Sequence, residues 1–166
     1  MKRVTLLAGL LCVSFSVCAF GEEKDRGEEK DRLALKDRSA APTAADIDTA
    51  VSINSLLQKS GKDDWSEKRA ARIEGYVVQV EREDDGDVHL VVGQSAADTD
   101  SKHWVIAELT TPWRKKMNLS IDKLRSYRGK RVRLTGWLYY EPDVPSPDPR
   151  GTFWELHPVT SIEVLK

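Results

Sequence analysis

From residue 71 onward the chain carries five separate runs that read as β-strands, and in the second and fourth the residues of one face alternate with those of the other, the period-two pattern by which a strand buries one side. The first run is 72–82, RIEGYVVQVER, with Gly75 inside it. Asp84-Asp85-Gly86-Asp87 follows as a hairpin turn, since Asp-Gly is a favoured turn pair. The second run, 87–93, puts Val88, Leu90 and Val92 on one face. A polar loop over 94–102 leads to the third, 103–109, HWVIAEL. Residues 119–127 then read as a short helix capped by Ser120, with Gly129 beyond its end. The fourth run, 130–140, alternates Val132, Leu134, Leu138 and Tyr140 with Arg131, Arg133, Trp137 and Tyr139. Gly136 in its middle predicts a bulge or sharp bend. A proline-rich loop over 141–151 precedes the last strand, 152–165, which is expected to bend at Pro158.

Three strands, a helix and two more strands, with glycines inside the first and fourth, is the element order of an OB-fold. The predicted class is therefore all-β with small α content, a five-stranded OB-like barrel over 71–166. Likeness to that fold implies the neighbour order 1-2-3-5-4-1, which makes strands two, three and five adjacent.

The region before the barrel divides into three parts. Lys2 and Arg3 precede the apolar run VTLLAGLLCVSFSVCAF, which is short for a spanning helix and has the layout of a signal peptide. Ala19 and Gly21 supply small residues at −3 and −1, which places cleavage after Gly21; cleavage after Ala19 and an uncleaved anchor are the alternatives. Export to the periplasm or the outside of the cell follows from this segment (1–21). Cys12 and Cys18 both lie inside it, so the mature chain has no disulfide framework and depends on a packed core. Val17 and Phe15 depart from the usual lipid-attachment pattern around Cys18. Residues 22–45 are expected to be a disordered charged linker: GEEKDR occurs twice, a degraded copy LALKDR follows, and a six-residue period suits neither helix nor strand. Over 46–62 a short helix is expected, capped by Asp46, with Ile47, Val51, Ile53, Leu56 and Leu57 as its apolar residues. Loss of Lys2 and Arg3 takes the formal charge from −1 to −3, so the protein is not a generally basic nucleic-acid binder, and any basic patch is local.

Two groups of residues can carry chemistry. Asp87-Val88-His89 and Glu155-Leu156-His157 each set an acid and an imidazole two apart on a strand, hence on one face. With Glu108 on strand three, the predicted strand order brings Asp87, His89, Glu108, Glu155 and His157 to neighbouring strands. Neutral imidazole and carboxylate suit a divalent metal ion; the same groups suit acid–base work or a hydrogen-bonded network fixing the strand ends. The second group is basic and aromatic: Arg114, Lys115, Lys116, Arg131 and Arg133 with Trp137 and Tyr139. Cations beside stacking rings suit single-stranded nucleic acid or an anionic glycan, although these residues lie off the face of strands two and three that OB-folds usually use. Trp104 and Trp154 are expected to point outward or to cover the polar cluster. No Walker loop, dinucleotide fingerprint, nucleophile elbow or C-x-x-C is present, and Lys59-Ser60-Gly61-Lys62 is too short for a phosphate loop.

Three pieces, EGYVVQVEREDDGDVHLVV, GKRVRLTGWLYY and WELHPVTSIEVL, resemble small bacterial OB-like domains that are often secreted. The resemblance spans most of 72–165 and implies an OB-type barrel without a firm activity. A more distant likeness is to staphylococcal-type thermonucleases, which share a DGD turn and a D-T-P-E segment after strand three. Here Asp85-Gly86-Asp87 matches the turn, but the segment reads Thr110-Thr111-Pro112-Trp113, so the second acid and the general base are missing. That removes metal-assisted phosphodiester attack and leaves a shared scaffold. The leading expectation is an exported, non-enzymatic binding module with no membrane span in the mature chain. A metal-dependent hydrolase or phosphodiesterase using the Asp/Glu/His set and a cell-envelope protein adaptor are the alternatives.

Overall fold

The computed structural model describes residues 30–141 and 150–166. The predicted signal segment and residues 22–29 lie outside the described residues, as does most of the proline-rich loop. Five strands close into a barrel in the order β1-β2-β3-β5-β4, with β1 also pairing β4. They are β1 (Ala70–Arg82), β2 (Val88–Gly93), β3 (Val105–Leu109), β4 (Arg131–Tyr140) and β5 (Trp154–Val164). All pairs are antiparallel except β3 with β5. This is the OB-like all-β architecture expected from element order.

The alternation written into the strands fills the barrel. Ile73, Val77, Val88, Leu90, Val92, Val132, Leu134, Leu138 and Leu156 are buried in one core cluster. The Gly136 bend is present as a break in the β4–β5 register on both sides of that residue. A Cβ at Gly136 would stand 2.8 Å from the Pro158 carbonyl oxygen, so only glycine lets the two strands approach there. In β1 the register shift falls between Val77 and Gln79 rather than at Gly75. Gly75 serves packing instead: a side chain there would collide with Val92 and with Ile53 of the helix laid over the barrel.

Among the described residues four α-helices are present: α1 (residues 30–36), α2 (Ile53–Gln58), α3 (Thr111–Lys116) and α4 (Ile121–Arg125). α4 is shorter than the predicted 119–127 and is capped by Ser120, whose Oγ accepts from the Lys123 amide. α3 was not expected. Pro112 at its start, where the missing N–H costs nothing, is the local signal for it.

Two expectations for the N-terminal region are corrected. α2 starts at Ile53, not Ile47, because Ser52 and Ser55 form a reciprocal capping box. Asp46 instead turns back to accept from Thr43, and Ile47 forms a parallel bridge to Ala70. Within 22–45, residues 30–36 are helical, because the third repeat copy replaces Gly-Glu-Glu by Leu33-Ala34-Leu35, all helix formers. Leu33–Lys166 forms one compact unit, in which residues 36–47 run as a strap against the barrel. The strap is held by side chain to backbone bonds. Trp113 and Trp137 donate their indole N–H to the Arg38 and Ala40 carbonyls at 2.8 and 2.9 Å. The Arg38 guanidinium lies 4.9 Å from the Trp137 ring centroid and donates to the Glu67 carbonyl at 2.7 Å. Arg69 donates to the Ala45 and Ile47 carbonyls.

Candidate functional site: an acid–histidine wall and a basic edge

Register sets the first site. His89 on β2 lies directly opposite Glu108 on β3, and Ala107 pairs with Leu156 across the parallel β3–β5 junction. Glu108 and His157 are each one residue further along, so both emerge on the outer face beside each other. Glu155, the outward residue before His157, is opposite Tyr139 of β4. The outer wall of β2, β3, β5 and β4 thus collects His89, Glu108, His157 and Glu155, and all but His89 are buried.

These groups engage one another. Glu108 Oε2 is 3.0 Å from His89 Nε2 and 3.0 Å from His157 Nδ1. His157 Nδ1 hydrogen-bonds Glu155 Oε1 at 3.2 Å, and Glu155 Oε2 accepts from Arg150 at 2.8 Å. His89 Nδ1 stands 3.2 Å from Glu83 Oε1. The Tyr139 ring packs 5.4 Å from the His157 ring. The result is a chain of alternating charge, Glu83–His89–Glu108–His157–Glu155–Arg150, in which three carboxylates face three cationic groups.

Burial opposes charge on His157, yet Glu108 and then Glu155 outweigh it and hold the imidazole pKa up at about 9. His89 is raised in the same way: burial works against it, and Glu108 followed by Glu83 overcomes it. Burial would raise the Glu108 carboxyl, but His157 and His89 hold it well below the usual carboxylate range. The His157 imidazole is therefore a cation at neutral pH, and His89, whose pKa is shifted upward, has a carboxylate on each side to accept from its two ring nitrogens when it is protonated. Glu108, Glu155 and His157 also each offer a ligand atom within 4.8 Å of the others, a spacing that a divalent ion can bridge.

Asp87 does not join this set. It sits in the turn, where its Oδ1 accepts from the Thr111 amide at 2.5 Å at the start of α3. The Gly86 carbonyl accepts from Thr111 Oγ1 and from Arg114. The Asp-Gly-Asp turn is thus a clamp on α3. Glu83 and Arg150 were missed from sequence, Glu83 being one of several acids crowded around the turn and Arg150 an isolated cation ending a proline-rich loop. Thr110 and Trp113, at the positions of the absent thermonuclease acids, are both buried.

The basic and aromatic residues are not brought together as one surface. Arg131 pairs with Glu74 at 2.8 Å; Arg133 pairs with Glu74 at 2.7 Å and with Glu163 at 2.8 Å. Trp137 lies under the strap, and Tyr139 is fully buried, so neither offers an open face for stacking. Arg114 is spent on the turn. Lys115 and Lys116 are exposed, and among the described residues neither forms an ion pair. Lys116 Nζ sits 4.2 Å from the Trp113 ring centroid, at the edge of a groove of about 370 Å³ also walled by Asp37, Arg38, Ser39, Thr110 and Pro112. Trp154, expected to point outward or to cover the polar cluster, is buried in the core, with its indole N–H donating to the Gly61 carbonyl at 2.8 Å. Its place inward follows from Tyr140 and Trp154 being cross-strand partners at the barrel end.

No protein-family model matches the chain. No curated protein matches its sequence. Solved structures that resemble it include the S. pombe Stn1-ten1 complex, at a TM-score of 0.46 and 14% identity over 71% of this chain and 78% of that one. Entamoeba histolytica asparaginyl-tRNA synthetase gives 0.43 and 13% over 69% of this chain and 23% of that one. Aspartyl tRNA synthetase from the same organism gives 0.42 and 14% over 76% and 23%. The chain thus spans under a quarter of each synthetase. The barrel assignment rests on strand order and register rather than on these likenesses.

Proposed function

We propose that the protein is an exported, non-enzymatic OB-like binding module whose ligand is anionic and docks along the α3 edge. One observation carries the non-enzymatic part: the acid–histidine groups are already satisfied by one another. Both nitrogens of His89 and both oxygens of Glu155 are engaged, leaving neither as an idle base for a substrate. Lys115 and Lys116 supply the anion-binding charge, with the Trp113 groove beside them. Nucleic acid and anionic glycans share the chemistry such an edge recognises. Export rests on the basic and apolar N-terminal segment.

Titration of a labelled single-stranded oligonucleotide and of a sulfated oligosaccharide, at low and raised salt, tests the reading. Affinity is expected to fall with salt and to weaken in Lys115→Ala/Lys116→Ala. Absence of binding to both probes at low salt contradicts it.

A second reading, a metal-dependent hydrolase, is favoured by the convergence of Glu108, Glu155 and His157. Elemental analysis and thermal shifts with Zn, Mn and Ni separate the two, with His89→Ala and His157→Ala as controls. A metal-dependent stabilisation lost in His157→Ala supports the hydrolase; no metal and no shift remove it.

A further inference from the structure

A separate cleft of about 280 Å³ opens between the 62–68 loop and the β4–β5 pair. Its floor is aromatic: Trp65 and Tyr140 with the edge of Trp154. Tyr140 meets Trp154 edge-on at 5.2 Å between ring centroids and Phe153 at 5.9 Å. Phe153 is 42% exposed, which extends the aromatic surface beyond the cleft. The two indole N–H groups are committed to the Lys59 and Gly61 carbonyls at 2.9 and 2.8 Å. These bonds fix the rings; Trp154 is buried, so the indole that offers a ligand ring surface is Trp65, with Lys59 Nζ 5.6 Å from its centroid.

The rim is polar and balanced. Lys62 and Lys68 stand with Asp63 and Glu67, two charges of each sign. Lys62, Asp63 and Lys68 are exposed and, among the described residues, form no ion pair. An anionic or cationic ligand would meet as much repulsion as attraction there, and a wholly apolar one would strip water from the charges without replacing it. Hydroxyl groups both donate and accept, so they can serve the ammonium and carboxylate groups alike. A ring with C–H groups on its faces and hydroxyls at its edge matches floor and rim together.

We propose that this cleft binds a neutral glycan chain, seating a sugar ring against Trp65 and Tyr140 with its hydroxyls directed to Lys62, Asp63 and Lys68. The site shares no residue with the α3 edge and does not depend on that reading.

Calorimetric titration of the mature chain with neutral hexasaccharides of β-1,4-linked glucose, N-acetylglucosamine and mannose tests it. At least one is expected to bind with an affinity that salt does not change. Trp65→Ala is expected to weaken it about tenfold, the scale of one lost aromatic contact. Asp63→Ala, an exposed substitution that leaves the fold intact, is expected to weaken it severalfold and keeps the test decisive if Trp65→Ala does not fold. Binding of none of the three, or binding unchanged in Asp63→Ala, overturns the proposal. So does binding that salt abolishes and Lys115→Ala/Lys116→Ala removes, which would belong to the α3 edge.

Discussion

The outer wall of β2, β3 and β5 and the basic run from α3 to β4 look alike as strings of charge, and the fold treats them in opposite ways. On the wall Glu108, Glu155 and His157 are buried, and the charged groups bond mainly to one another. Along the basic run the arginines turn to partners outside the run: Arg131 and Arg133 both to Glu74, Arg133 also to Glu163, and Arg114 to a turn carbonyl. Lys115 and Lys116 alone of that group remain exposed without an ion pair among the described residues. Charge that can meet a ligand is set by what the neighbouring strand carries opposite it, not by the number of cations in sequence. A buried pair broken on one side also leaves its partner charged and dry, whereas an exposed pair broken on one side is rescued by water.

The largest expected effect follows from that asymmetry. Glu108→Ala strands the buried His157 and the half-buried His89 and should cost about 3–5 kcal/mol in urea unfolding, the scale for removing one partner of a buried ion pair. A loss below about 1 kcal/mol would show that the wall is no ion network. The pH dependence has the same origin. The raised His157 pKa means its contribution is complete below the ordinary imidazole value of 6.5 and is lost as pH rises through about 9. The depressed Glu108 pKa means its contribution is present above the ordinary value of 4.5 and is lost as pH falls below the carboxylate range. Unfolding free energy should therefore peak on the mildly acidic side of neutrality and decline toward pH 9, and His157→Ala should flatten the alkaline decline.

Next in size is the strap. Arg38→Ala removes the stacking on Trp137 and the bond to Glu67, and should cost about 1–2 kcal/mol by denaturation. It should also raise the exposure of Trp137 to fluorescence quenchers; an unchanged quenching constant would mean that the strap does not cover that ring. On binding, Lys115→Ala/Lys116→Ala should weaken a single-stranded oligonucleotide by about tenfold at low salt and lower the salt slope by about 1.4. Arg131→Ala should leave that affinity nearly unchanged, because its charge is already paired with Glu74. Equal losses in the two variants would put the ligand on β4 rather than α3.

Much of this was legible in the chain. The inward set Val88, Leu90 and Val92 follows from periodicity, the Gly136 break from a glycine inside a strand, and the strand order from likeness to the OB-fold. The same alternation brought out His89, Glu108, Glu155 and His157 on one wall. It failed for Asp87, which has the right parity but lies in a turn, where the Thr111 amide competes for it. It was silent on Glu83 and Arg150, since neither belongs to the patterned part of a strand. The strap was hidden for a different reason. Its hold on the barrel uses backbone carbonyls as acceptors for Trp113, Trp137 and Arg69, and a carbonyl is present whatever the residue. Composition therefore reads residues 36–45 as a linker. Tyr139 was misjudged because strand parity does not tell whether an outward ring meets solvent or another element; Trp154 shares the inward parity of Leu156, so there the parity was available and not applied.

The central claim is that the acid–histidine wall is a self-neutralised ion network. Nitrogen-detected NMR of the His157 ring across a pH titration tests it most directly. The account predicts a ring protonated on both nitrogens at neutral pH, with a midpoint near 9 and no change when Zn is added. A neutral ring at neutral pH, with a midpoint at or below 6.5 or displacement of its proton by Zn, would contradict it.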